Sequence, residues 1–315
     1  MRPAAVPMFA ILFIIVSCSD DGASGVAART ERDPHAADTD TGPPVDRDTG
    51  ADTDGGTGVE TGADTDSETG TGDSSAQETG AWCYTFRAGV DQQGAYNQTV
   101  EELEVDMRTG AGRTTRVYTG ARVDKSFRTA NVTWNGGTFA LGYDDGEGYS
   151  WMELDRSTSR AIDWGGTDVE SAIAWSGTDY IVQRRSQFES QRYPDMASVV
   201  AGASTGTLTF SGATRFTVLG GELYGMWHST DRMGVYDATT GAEVRRLVLG
   251  GYDTWTWGVA AFGDSVFSID DGRQYAFERI GWFDRASGAL IADVEVPGND
   301  RSRPYSGLYC SATPM

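Results

Sequence analysis

Two acidic turns are the residues whose types and spacing come closest to a site of chemistry. A glycine directly follows the pair Asp144-Asp145, and another follows the pair Asp270-Asp271. Carboxylate oxygens are the ligands that calcium prefers, so both pairs are candidate calcium ligands. Asp-Gly is also a common sequence of tight hairpin turns, and this simpler interpretation is preferred. No other cofactor is expected.

The histidines give little support for catalysis. His228 is the only one after residue 80, within the run Trp-His-Ser-Thr-Asp at 227–231. Ser, His and Asp this close along a chain rarely converge, and a triad is recognised by geometry rather than by adjacency. The sequence also has no zinc-protease or phosphate-loop motif. Whether the protein is an enzyme stays open, and a non-enzymatic role is favoured.

Tryptophans near turns provide a candidate ligand face. Trp255 and Trp257 follow a Gly-Gly pair, and Trp227 precedes His228. Aromatic rings at such positions can stack on sugars or peptides. Most of the other tryptophans are expected to pack between strands.

The first residues have the pattern of an export signal. Arg2 is followed by an apolar run, Met8–Val16, that is too short to span a bilayer. The run ends in Ile15-Val16-Ser17-Cys18, which resembles the lipobox of bacterial lipoproteins. This resemblance implies cleavage after residue 17, acylation of Cys18 and a membrane anchor. A serine rather than an aspartate follows Cys18, which favours the outer membrane, at its periplasmic face or the cell surface.

Residues 18–80 predict a disordered acidic tether. Ser19–Gly80 contains 16 acidic and three basic residues, no aromatic residue and almost no large aliphatic one. Such a segment cannot bury enough apolar surface to offset its loss of conformational entropy. The negative charge of the chain, formally −21, disfavours nucleic acid as a partner.

Residues 81–315 contain a repeated turn. Val235–Val244 and Trp282–Ile291 both contain Asp, two further residues, Thr or Ser, and then Gly, and their aspartates are 47 positions apart. Asp caps such a turn, and Gly adopts its positive φ. Asp106 begins a third copy. Asp155 begins a degraded one, and a fifth copy is expected near Asp195.

These turns and the short strands between them predict an all-β fold. Apolar hairpins stand upstream of the turns at 132–139, 173–180, 216–223 and 259–266. The period of about 40–49 residues indicates a β-propeller, most simply with five four-stranded blades. One blade is expected to combine strands from both ends of the domain.

Cys83 and Cys310 would then lie in this shared blade. In an oxidising compartment, two cysteines on neighbouring strands are expected to form a disulfide. Two free thiols are the alternative interpretation.

The Asp turns resemble those of PQQ-like and YVTN/WD40-like propellers. Quinoprotein blades usually place a tryptophan several residues after the glycine, whereas Val244–Leu247 and Ile291–Val294 stand there in this chain. Binding of the quinone cofactor is therefore not implied. Five blades also differ from the seven or eight of those families.

The sequence as a whole predicts a lipid-anchored envelope protein whose propeller is a binding or assembly module. Its partner is a membrane through the anchor, and an envelope protein or a glycan through the propeller. The alternatives are a carbohydrate-active enzyme with carboxylates in the central channel and a structural surface-display lipoprotein.

Overall fold

Antiparallel strands are the main secondary structure of the chain that the structure describes. The computed structural model describes residues 80–123, 128–144, 148–167, 171–184, 189–210, 213–226, 230–250, 256–270, 278–298 and 302–315. The expected signal peptide, Cys18 and the acidic segment through Thr79 lie outside these ranges. Within them, no helix has the length and apolar character needed to cross a bilayer.

Eight strands form the largest sheet. They are β1 (Trp82–Val90), β2 (Tyr96–Asp106), β3 (Gly112–Thr119), β4 (Arg128–Trp134), β5 (Thr138–Asp144), β6 (Tyr149–Asp155), β7 (Arg160–Thr167) and β20 (Ser306–Ser311). Their order in space is β20-β1-β2-β3-β7-β6-β5-β4. β3 and β7 are parallel and pair only between Thr119 and Arg160. The sheet therefore consists of two antiparallel halves of four strands.

Three further sheets each join four consecutive strands in antiparallel order. The first contains β8 (Ser171–Trp175), β9 (Tyr180–Arg184), β10 (Glu189–Tyr193) and β11 (Gly206–Thr209). The second contains β12 (Arg215–Leu219), β13 (Glu222–Met226), β14 (Arg232–Asp237) and β15 (Glu243–Val248). The third contains β16 (Thr256–Phe262), β17 (Ser265–Asp270), β18 (Arg279–Asp284) and β19 (Leu290–Glu295).

The two halves of the large sheet and the three smaller sheets form five groups of four strands. In each group, one edge strand contacts the corresponding edge strands of its neighbours. β4 contacts β8, β8 contacts β12, β12 contacts β16, β16 contacts β20, and β20 contacts β4. Hydrophobic clusters fill the spaces between neighbouring groups. One of them packs Ile181 and Leu208 against Phe216 and Leu223. The fold is therefore all-β and propeller-like, as the sequence predicts.

The repeated Asp turns have the geometry that their sequence predicts. After β14 and β18, Asp237 and Asp284 each accept hydrogen bonds through Oδ1 from the N–H groups two and three residues later, at 2.7–3.1 Å. Asp155 caps the degraded copy in the same way. Ser159 ends that turn with φ of +54°, a conformation that glycine adopts with less strain.

The fifth copy, near Asp195, is a helix instead of a turn. Asp195 caps helix α1 (Met196–Ala201) by accepting a hydrogen bond from the Ser198 N–H at 2.7 Å. The capping chemistry is shared, because in both cases an Asp side chain satisfies N–H groups that lack backbone partners. A helix of only six residues gives little periodic signal, which explains why the sequence does not predict it.

Glycine in these turns also allows contact with the preceding sheet. A Cβ atom on Gly241 would lie 2.1 Å from the Thr209 carbonyl oxygen, and one on Gly288 would lie 2.4 Å from that of Val248. These two turns therefore pack their sheets against the outer strand of the sheet before each.

The two ends of the described chain meet in the large sheet. Cys83 on β1 and Cys310 on β20 are directly opposed and form a disulfide. Their separation is 227 residues, and closing a loop of that size stabilises by about 5 kcal/mol in the chain-entropy model. The disulfide and the shared use of both chain ends are confirmed.

One buried amide links four of the innermost strands. Asn131 on β4 is fully buried. Its Nδ2 donates to the carbonyl oxygens of Ile173 on β8 and Phe216 on β12, and its Oδ1 accepts from the Val259 N–H on β16 at 3.2 Å. A side chain this short reaches three other strands only where they converge. Asn131 therefore occupies the centre of the fold.

Replacing Asn131 with alanine should destabilise the protein strongly. The change leaves buried backbone groups without their partner, and each such group costs about 1–3 kcal/mol. We expect Asn131→Ala to lower the free energy of unfolding by about 3 kcal/mol or more, measured by urea unfolding. The control Asn97→Ala alters an exposed asparagine and should change stability by less than about 0.5 kcal/mol. Equal stability of the two variants would contradict the central role of Asn131.

Candidate functional site

A cleft opens between the β4–β7 half of the large sheet and the sheet β8–β11. Its volume is about 350 Å³, and it is lined by Asn135, Glu153, Trp164, Trp175, Tyr180 and residues 194–197. Of the lining side chains that the structure describes, three are large aromatics, two are acidic and none is basic. A concave surface of this size, with apolar walls and a few polar groups, has the composition of a small-ligand site.

Glu153 is the fixed acidic group of the cleft. Its Oε2 accepts a hydrogen bond from the Trp164 indole Nε1 at 2.8 Å, and its Oε1 accepts from the Thr138 hydroxyl at 3.1 Å. These bonds hold both the carboxylate and the indole ring in position. A carboxylate has about four acceptor positions, so these bonds leave capacity for a ligand donor.

Trp175 and Tyr180 form the opposite wall. They are directly opposed across the β8–β9 hairpin, and their ring centroids are 4.8 Å apart. The Tyr180 hydroxyl accepts a hydrogen bond from Asn135 Nδ2 at 2.7 Å. Burial, and to a lesser extent Glu153, raises the pKa of Tyr180 to about 12. The phenol is therefore neutral at physiological pH.

Asn135 positions other groups rather than contacting a ligand. Its Oδ1 accepts from the N–H groups of Gly137 and Thr138 at 3.0 and 2.8 Å. Its Nδ2 donates to the Thr138 hydroxyl as well as to Tyr180. Both donors and both acceptor positions of the amide are thus in use within the protein.

Asp195 adds a second negative charge at the rim of the cleft. Its side chain is exposed. Hydrogen bonds from Ser198 hold the pKa of this carboxyl below its usual range. Asp195 is therefore ionised at neutral pH.

The two acidic turns are placed only in part. Asp144 ends β5 and Asp270 ends β17, whereas Asp145 and Asp271 lie outside the described residues. Across the ranges that the structure describes, no cluster of three or more His, Cys, Asp or Glu side chains is arranged to hold a metal ion. Calcium binding at these turns stays a sequence prediction.

The predicted aromatic face is also placed only in part. Trp257 on β16 packs against the hydrophobic cluster that contains Cys83 and Cys310, and the Arg215 guanidinium lies 5.1 Å from its ring centroid. Trp257 does not line the cleft. Trp227, His228 and Trp255 lie outside the described residues.

The cleft residues were not predicted as a site from the sequence. Glu153, Trp164 and Tyr180 come from three different strands, so no short motif contains them. One signal was available, because Trp175 and Tyr180 repeat the positions of Trp134 and Phe139 in the preceding hairpin. Whether such a pair faces a filled or an open space depends on the neighbouring sheet, which the sequence does not reveal.

Comparisons with known proteins do not assign the chain to a family. No family model matches it, and no curated protein matches its sequence.

Solved structures show distant likenesses. Myxococcus xanthus glutaminyl cyclase has a TM-score of 0.43 at 10% identity over 58% of this chain and 90% of that one. A chain of the nidogen–laminin complex has a TM-score of 0.46 at 9% identity, over 73% and 98%. Apo AztD from Citrobacter koseri has a TM-score of 0.38 at 9% identity, over 74% and 98%. Likenesses this distant carry no argument about the function of this chain.

The buried phenol of Tyr180 predicts a specific pH dependence. A tyrosine in an unfolded chain titrates near pH ~10, whereas Tyr180 in the folded protein titrates at about 12. The stability that this group contributes is therefore fully present below pH ~10 and is lost as the pH rises towards about 12. Tyr180→Phe should be less stable than the parent at neutral pH, because a buried hydrogen bond is lost.

We expect this difference in unfolding free energy to shrink as the pH rises above ~10. Urea unfolding of both proteins across this range measures it, and groups common to both cancel in the difference. A difference that stays constant with pH would show that Tyr180 is not buried as described.

Proposed function

We propose that the protein is a lipid-anchored binding protein of the cell envelope, and that its ligand occupies the cleft between the β4–β7 half and the sheet β8–β11. The observation that carries this proposal is the arrangement of Trp164, Trp175 and Tyr180 around the fixed carboxylate of Glu153. Because these side chains are held by packing and hydrogen bonds, little conformational entropy is lost when a ligand binds.

Binding fits the cleft better than catalysis does. Glu153 accepts hydrogen bonds from Trp164 and Thr138, and Asp195 caps helix α1. Both acidic groups therefore have structural roles within the protein. A carbohydrate-active enzyme, the alternative expectation, would place carboxylates in a central channel. The centre of the fold instead holds the Asn131 amide and its three backbone partners.

The scaffold of this site is proposed to be a propeller of five four-stranded blades. Each half of the eight-stranded sheet would be one blade, and each smaller sheet another. Two observations support this count. The innermost strands β20, β4, β8, β12 and β16 contact one another in cyclic order. Five hydrophobic clusters of described residues each span two consecutive groups of strands.

The anchor is proposed to be lipid on Cys18, at the outer membrane. Its support is the resemblance of Ile15–Cys18 to a lipobox and the serine that follows. The acidic segment 18–80 would hold the binding domain away from the bilayer. The partner would then be an envelope component, either a protein or a glycan.

A panel of small compounds tests the binding role. The full chain, solubilised in a non-ionic detergent, is heated with sugars, amino acids, nucleosides and organic amines, and unfolding is followed by fluorescence. A ligand at about 100 times its Kd adds about 2.7 kcal/mol to the stability of the folded state. We expect at least one class of compound to raise Tm.

Trp175→Leu should abolish that rise in Tm because it removes one wall of the cleft. Trp257→Leu is the matched control, since it removes a half-buried tryptophan outside the cleft. No rise with any class, or a rise that survives in Trp175→Leu, would refute the proposed site.

Acylation is tested separately by expression in a bacterial host fed labelled fatty acid. The full chain should incorporate the label and partition with membranes, and Cys18→Ala should do neither. Ser19→Ala is the control, because it changes the neighbouring small residue and keeps the thiol that carries the lipid. Equal labelling of the chain with and without Cys18 would exclude the anchor.

A further inference from the structure

The gap on the other side of the β4–β7 half provides an internal comparison for the cleft. Trp134 and Phe139 are directly opposed across the β4–β5 hairpin, as Trp175 and Tyr180 are across β8–β9, and both pairs have ring centroids 4.8 Å apart. The two gaps also have corresponding acids. Glu104 stands two residues before the turn residue Asp106, and Glu153 stands two residues before Asp155. The gaps are therefore built from equivalent parts of the repeat.

In the first gap, one cation of the chain itself, the Arg156 guanidinium, lies beside an acid and two aromatic rings. The Arg156 guanidinium lies 5.4 Å from the Tyr84 ring centroid and 5.9 Å from that of Phe139. Its Nη2 lies 3.0 Å from Glu102 Oε1, and the arginine side chain is only 9% exposed. Arg113 in turn pairs with Glu104 at 2.9 Å. This gap shows which chemical species such surroundings accept.

Among the residues that the structure describes, the cleft has similar surroundings and no cation of its own. Its described lining has the aromatic rings of Trp164, Trp175 and Tyr180 and the acidic groups of Glu153 and Asp195, and none of these described residues is basic. The face of an aromatic ring carries negative potential, so it adds to the attraction that the carboxylates exert on a cation. The aromatic rings and the carboxylates both disfavour an anionic ligand.

The chemistry of the walls selects an organic cation over a metal ion. Calcium and magnesium require several oxygen ligands around one point, and aromatic faces offer none. Quaternary ammonium and guanidinium groups are large and weakly hydrated, and they bind over aromatic rings with a carboxylate nearby.

We propose that the cleft binds an organic cation, with the cationic group against the aromatic wall and the Glu153 carboxylate. This inference rests on the proposed function of the cleft as a ligand site and names the class of ligand. The cation could belong to a methylated ammonium compound or to an arginine side chain of a partner, and the two sources share this recognition chemistry.

Titration calorimetry with the full chain in a non-ionic detergent tests the inference. The probes are choline, methylguanidinium and 3,3-dimethyl-1-butanol, which has the shape of choline without its charge. We expect at least one of the two cations to bind. We expect the neutral alcohol to bind at least about tenfold more weakly than choline, because the cation–π and ionic interactions together raise the affinity by more than about tenfold. The tighter of the two cations indicates the source.

Two variants check the role of the carboxylate. Glu153→Gln keeps an acceptor for the Trp164 indole and removes the charge, so it should weaken cation binding at least about fivefold. Glu189→Gln changes an exposed acid outside the cleft and should leave the affinity unchanged. The comparison of choline with its neutral analogue needs no variant, so it decides the matter even if Glu153→Gln fails to fold.

Choline and the alcohol binding equally would overturn the inference. Binding of a sugar or another neutral panel compound in the cleft, with no displacement by either cation, would also overturn the inference. This second outcome would leave the proposed binding function standing. Failure of every class of compound to bind would instead refute the binding function itself.

Discussion

The buried amide of Asn131 is the contact on which the arrangement of the sheets depends. It joins β4 to backbone groups of β8, β12 and β16, which belong to three other sheets. An amide suits this position because it has both donors and acceptors, and the strands present both carbonyl and N–H groups there. Since the side chain is fully buried, water cannot replace these bonds, and the strands are held at fixed distances from one another.

A closed centre has a consequence for function. A ligand cannot occupy the point where the inner strands converge while Asn131 fills it, so binding is directed to the spaces between sheets. A hydrophobic cluster packs each of these spaces, and in one of them Arg156 and Arg113 also pair with acidic side chains. The space beside Glu153 is lined by the same classes of residue and stays open. Repetition of the blade pattern thus provides both the filled gap and the candidate site.

Local chemistry explains what the sequence predicts correctly. The Asp turns follow from one side chain capping its own backbone, and the pairing of Cys83 with Cys310 follows from the period that places both in one sheet. Asn131 could not be found this way, because its partner Phe216 lies 85 residues further along the chain. Glu153 and Tyr180 were missed for the same reason, since only the packing of two sheets brings them together. Near Asp195 the cap was predicted and the helix was not, because six residues carry too little periodicity.

A crystal structure of the full chain grown with choline tests the central claim most directly, namely that the centre is closed and the ligand site lies between sheets. We expect electron density for choline beside Glu153 and Trp175, with the Asn131 amide in contact with Ile173, Phe216 and Val259. Choline or a column of water at the centre of the inner strands, with the Asn131 side chain turned away from them, would contradict this claim.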